Sequence, residues 1–213
     1  MELPRTASAA DTLEARRSLE AKRSLEARRS LEAKQSLALL GAMCFFLSAI
    51  EYMIPKPMPF IRIGLANLPL LLALDILSFR RFFLLASIKV LGQALISGTL
   101  FSYIFLFSLA GTFASAFAMY ILHRVLGRRL VSFIGIGTLG AMVSNVSQLA
   151  LAYIFIFGES VMYIAPPFLF TGIITGVVLG LFCEVFTRQS KWYAGVVGRH
   201  GRGQQPQSQG KIA

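Results

Sequence analysis

The 213-residue chain is 55% hydrophobic and 15% charged, with a mean hydropathy of +0.66. That excludes an ordinary soluble domain, in which about 25% of residues carry charge. The net charge of +11 would suit nucleic acid, but the cations fall in patches between long apolar runs, so no nucleic-acid partner is expected and the lipid bilayer is.

Residues 1–35 read as a charged cytoplasmic tail. Four hexapeptides, LEARRS, LEAKRS, LEARRS and LEAKQS, run from Leu13 to Ser36. Their residues favour helix, and Glu14–Arg17, Glu20–Arg23 and Glu26–Arg29 are i,i+3 pairs. A period of six turns each leucine by about 120° around a helix. The leucines therefore make no coiled-coil seam, and the tail reads as a solvated or membrane-skimming helix.

Six spans are predicted near 36–54, 66–79, 82–101, 103–122, 132–157 and 161–187, from apolar runs of about the 20 residues that cross a bilayer. The fold class is all-α: an integral inner-membrane protein with a six-helix membrane domain over 36–187. If the spans alternate, eighteen of the 21 cations share one side: the amino-terminal tail, Arg80 and Arg81, the segment HRVLGRR and the tail after residue 187. The positive-inside rule makes that side, and both termini, cytoplasmic. The 188–213 tail, basic and rich in Gly and Gln, is expected to be disordered. Residues 1–35 carry no signal-peptide pattern, and Cys44 and Cys183 read as small buried apolar residues.

Between the first two spans stands IPKPMPFIRIGLANLP, residues 54–69. Pro55, Pro57 and Pro59 remove backbone donors and favour extended chain. Asn67 followed by Pro69 predicts a helix start, with the asparagine as cap. A helix over 67–79 would cover only about 20 Å. Residues 55–66 should then dip into the membrane, where irregular backbone needs protein or a water-filled cavity beside it.

Polar groups inside spans are costly and therefore informative. Glu51 ends the first span; Lys89 and Gln93 stand at i,i+4 on the third, with Ser97 a turn further on; Asn145 and Gln148 stand at i,i+3 on the fifth. With Arg62, Gly64 and Asn67 they could line one outward-facing substrate cavity, Gly64 allowing close approach of a ligand. Simpler roles remain open: Glu51 paired with Lys56 or Arg62, and Asn145 and Gln148 bonding neighbouring helices. Gly172, Gly176 and Gly180, Gly111–Ser115, Ala114–Ala118, Gly140–Ser144 and Ala38–Ala42 are small-residue ladders suited to close helix contact. Pro166 and Pro167 should kink the last span.

No catalytic or metal-binding motif is present. Asp75 is the one acid between Glu51 and Glu159, which leaves no aspartate cluster for a magnesium-bound diphosphate. P-loop, HExxH and GxSxG patterns are missing, no cofactor is implied, and His123 and His200 read as bystanders. The chain is expected not to be an enzyme, and energy for any transport would come from a partner.

The segments IEYMIPKPMPFIRIGLANLPLLLALDIL, SGTLFSYIFLFSLAGTFASAFAMYIL, GAMVSNVSQLALAYI and APPFLFTGIITGVVLGL resemble the Gx transporter family, widely labelled heptaprenyl diphosphate synthase component I. That family resembles in turn the substrate-binding S components of energy-coupling factor transporters. The resemblance, over about 36–187, implies a six-helix fold with an outward site roofed by the loop between the first two helices. It also implies a first-helix small-residue motif, matched by Ala38 and Ala42, that docks a transmembrane coupling subunit working with cytoplasmic ATPases. The function so implied is capture of a small anionic vitamin-, flavin- or isoprenoid-like molecule. The alternatives are a non-catalytic membrane subunit serving heptaprenyl diphosphate synthesis and a membrane partner of a flavin or redox assembly.

Overall fold

The computed structural model describes residues 9–54, 64–130, 132–190, 193 and 195–198. Pro55, Pro57, Pro59 and Arg62 lie outside the described residues, as does His200.

α1, Ala9–Met53, runs unbroken for 45 residues, a length of about 68 Å at 1.5 Å per residue. Alanine, leucine and long charged side chains favour helix through the hexapeptides, and no proline interrupts them. Leu13, Leu19, Leu25 and Leu31 are each more than half exposed. Leucines spaced around three faces cannot all meet one neighbour, so none of them is buried.

After Met53 the described chain resumes at Gly64, makes a 3₁₀ turn at Leu65–Asn67 and enters α2, Leu68–Ala73. The single span expected over 66–79 does not form. α2 has six residues, all buried, with Pro69 in its first turn as expected. At about 9 Å it cannot cross a bilayer. An element with no polar residue has no face to give to water, and α2 fills the middle of the core: Leu70, Leu71 and Leu72 are at most 1% exposed.

The chain turns at 74–77, and α3 runs Phe79–Ser97, closed by Gly98 with a left-handed φ of 67°. α4 covers Tyr103–Leu130 and α5 Phe133–Ala152. Ser132 caps α5, its Oγ accepting from Gly135 N at 3.3 Å. α5 continues as a π-helical turn, Tyr153–Phe157, then a 3₁₀ turn, Gly158–Ser160, and α6, Val161–Gln189, which holds Pro166 and Pro167 near its start.

The small-residue ladders set the packing. α1 and α3 run parallel: Gly41 faces Ile88, and Gly92 faces the ring of Phe45. α5 and α6 run antiparallel: a Cβ at Gly176 would stand 2.7 Å from Thr138 Cα, and one at Gly180 would stand 2.7 Å from Phe133 O. Backbone that close admits only glycine. Between α5 and α4, Gly140 faces the Met119 side chain rather than backbone.

The described chain is all-helical, with no strand. Three stretches are long and apolar enough to cross a membrane, 16–53, 103–126 and 133–189, the last taking in α5 and α6 together. Phe46, Leu95, Phe117, Phe170 and Leu181 point outward, all more than half exposed. Such a surface suits hydrocarbon as solvent. The protein is a membrane protein.

The tail expected to be disordered from Arg188 onward is ordered in its first turns. Arg188 and Gln189 complete α6, residues 195–198 are helical, and Tyr193 is 2% exposed. Tyr193 joins the same core as Leu40 and Phe82, with Val196 and Val197 packed against it. Basic composition does not reveal that a single aromatic residue has a place in the core.

Candidate binding cavity

Glu51 lies two residues before the end of α1 and is 1% exposed. Its carboxylate accepts from Gly64 N at 3.0 Å and from Ala66 N at 3.5 Å. Oriented backbone N–H groups compensate an anion taken out of water. Gly64 has φ 76°, a left-handed conformation that costs a residue with Cβ roughly 1–2 kcal/mol, and Asn67 N closes the turn on Gly64 O at 2.8 Å. Glu51 thus holds the two ends of the 54–64 connection together.

Lys89, in the middle of α3, is 6% exposed. Its Nζ donates to Asn67 Oδ1 at 2.7 Å and to Thr112 Oγ1 at 3.0 Å. Asn67, expected as a helix cap, makes no side-chain cap bond to α2. A buried ammonium group is a stronger partner for an amide oxygen than a backbone N–H, so the side chain turns to Lys89.

On α5, Asn145 Nδ2 donates to Phe168 O of α6 at 2.9 Å, and Gln148 Nε2 donates to Ser144 Oγ at 3.0 Å. Both depend on a facing glycine. A Cβ at Gly172 would overlap Asn145 Nδ2, and one at Gly111 would come within 2.6 Å of Gln148 Nε2. Gln93 Oε1 is buried with no hydrogen-bond partner among the described residues. Ser97 Oγ turns back to Gln93 O at 2.8 Å and takes no part.

One cavity gathers Glu51, Gly64, Asn67, Lys89, Gln93, Asn145 and Gln148. It encloses about 660 Å³ of space not filled by atoms, its open mouth included, and α1 to α6 all contribute to its wall. Arg62 is outside the described residues. Ser108, Thr112 and Thr175 also line it and were not expected there, and so does Ser144, expected only as part of a small-residue ladder. The i,i+4 spacings of Ser108 with Thr112 and of Ser144 with Gln148 are the signals that could have found them.

The family model for heptaprenyl diphosphate synthase component I matches residues 40–186, a stretch that contains every one of these cavity residues. The chain belongs to that family. No curated protein and no solved structure matches it.

Two further features of this component I chain bear on its chemistry. Asp75 lies away from the cavity, where its Oδ1 is 2.8 Å from His123 Nε2 and its Oδ2 accepts from the Tyr193 hydroxyl. His123 is therefore a structural partner and not a bystander, and this acid is committed to holding α4 and the carboxyl-terminal turn against the α2–α3 connection. On α1, Ala38 and Ala42 are exposed, and it is Gly41 between them that packs inward.

Proposed function

We propose that this component I chain is a non-catalytic, substrate-binding membrane subunit, comparable to the S component of an energy-coupling factor transporter. It takes a small anionic molecule of vitamin, flavin or isoprenoid type into the cavity around Lys89. Partner subunits, a transmembrane coupling protein docked on the Ala38–Ala42 face and cytoplasmic ATPases, supply the work. In this reading the chain is multi-pass in the inner membrane, with six helices of which α2 is too short to cross on its own, and both termini cytoplasmic.

The observation that carries the reading is Lys89: a cation buried at mid-helix, donating to Asn67 and Thr112, at the wall of a cavity to which α1 to α6 all contribute. A fixed cation shielded from water attracts an anion far more strongly than one in solvent. Exposure of Ala38 and Ala42 on a small-residue face supports docking there. The test is mass spectrometry of small molecules retained by the purified protein. The wild type should carry an acidic compound that Lys89→Ala does not; identical contents in the two would end the proposal.

The family description favours a second reading, a membrane subunit accompanying heptaprenyl diphosphate synthesis without catalysing it. Co-purification with a soluble prenyl transferase, undiminished in Lys89→Ala, would select it.

A further inference from the structure

Beside the polar cavity lies an apolar groove of about 610 Å³, open mouth included, between the start of α4, the end of α5 and the start of α6. Tyr103, Ile104, Phe107, Leu149, Ile156 and Ile164 line it, and no charged residue does. The two spaces share Gln148 as a wall. A second link is Phe168: it lines the groove, while its carbonyl oxygen accepts the amide of Asn145, a residue of the polar cavity. The groove wall at Ile156 and Phe157 belongs to the π-helical turn. Such turns break the regular register of a helix and recur at functional sites.

We infer that the bound molecule is an amphiphile taken sideways from the bilayer, with one acidic head group at Lys89 and a long apolar tail in this groove. The inference rests on the capture reading and narrows its ligand class. A compact polar vitamin would use the cavity and leave the groove to lipid. An amphiphile matches the order of the two spaces, polar at Lys89, Asn67 and Thr112, amide at Gln148, apolar beyond. A tail that leaves hydrocarbon for the groove gains little by hydrophobic transfer, since lipid is as apolar as leucine. The groove contributes passage instead: the head can reach Lys89 while the tail never crosses polar lining. Selection then falls to the head group, where a charge-assisted hydrogen bond distinguishes an acid from a neutral lipid.

The test uses the full chain in phosphatidylcholine nanodiscs with dodecyl phosphate bearing a diazirine at the tail end, photolysed and mapped by peptide mass spectrometry. Adducts should concentrate in 103–107 and 149–164. Labelling there should fall about tenfold or more in Lys89→Ala and in the milder Lys89→Gln, the scale of one lost charged hydrogen bond. Ala152→Trp, which fills the groove, should remove the adducts but leave binding of propyl phosphate, measured by calorimetry, unchanged. Adducts spread evenly over outward residues such as Phe46 and Phe117, with no dependence on Lys89, would overturn the tail assignment. If propyl phosphate still binds in a Lys89-dependent way, only the tail assignment falls. If neither probe depends on Lys89, the capture reading falls with it.

Discussion

Lys89 Nζ lies 2.7 Å from Asn67 Oδ1, so a buried cation on α3 positions the turn that leads into α2. The same ammonium reaches Thr112 on α4. Three segments far apart in sequence therefore share one charge, and a ligand anion at that point would be felt by all of them. Lys89→Ala should weaken binding of the retained ligand by about 1.5–3 kcal/mol, the usual value of a hydrogen bond to a charged group. Lys34→Ala, at an exposed position on α1, should change nothing. Calorimetry on correctly folded protein decides between them.

Glu51 is placed to be structural as well as cavity-lining. Glu51→Ala leaves the N–H groups of Gly64 and Ala66 without their acceptor, at about 1–3 kcal/mol for each one left buried and unpaired. Amide exchange at 64–67 should accelerate and thermal stability should fall. Glu51→Gln keeps one side-chain acceptor and should lose less on both measures. Unchanged exchange in the alanine variant would show that the clasp contributes nothing.

Two glycine-to-alanine changes should have opposite signs. Inside a helix alanine is favoured over glycine by up to about 1 kcal/mol. At Gly41 the new Cβ meets Ile88 at an ordinary 3.6 Å, so Gly41→Ala should stabilise. At Gly180 it meets the backbone of Ile134 and Phe133, which cannot rotate aside. Overpacking of about 1–3 kcal/mol then outweighs the propensity gain. Midpoints of denaturant unfolding in detergent should move up for the first and down for the second.

Asp75 should govern order in the carboxyl-terminal turn. Asp75→Asn weakens both the His123 contact and the Tyr193 hydrogen bond. Residues 193–198 should exchange faster, while binding in the cavity, which Asp75 does not line, should be retained. Loss of binding with no change at 193–198 would reverse that assignment.

Orientation can be read chemically because both native cysteines, Cys44 and Cys183, are buried. With Ser160→Cys and Gln189→Cys, both at exposed positions, an impermeant thiol reagent added outside cells should label the first and spare the second. The opposite pattern would invert the proposed topology.

The sequence was informative wherever position along one helix decides the outcome. Lys89 with Gln93, and Asn145 with Gln148, share helical faces by spacing alone, and their cost inside an apolar run marked them before any neighbour was known. The glycines of α6 announced a close contact for the same reason. The sequence was less informative where two segments compete for one group. Asn67 carried a cap signal, but a cap is a local bond, and Lys89 outbids it from 22 residues away. Likewise nothing near His123 in sequence points to Asp75, 48 residues before it, or to Tyr193 beyond.

What the sequence determined by itself was therefore the solvent and the inventory: an apolar chain built for lipid, all-α in its elements, with a handful of polar groups too costly to be idle. The tertiary structure alone decided which helix is only six residues long, which glycine faces which backbone, and which of those polar groups meet. Hydrophobic spacing acts within a segment and can be counted along the chain. Hydrogen bonding of buried groups is settled between segments, by whichever donor and acceptor the packing brings within about 3 Å.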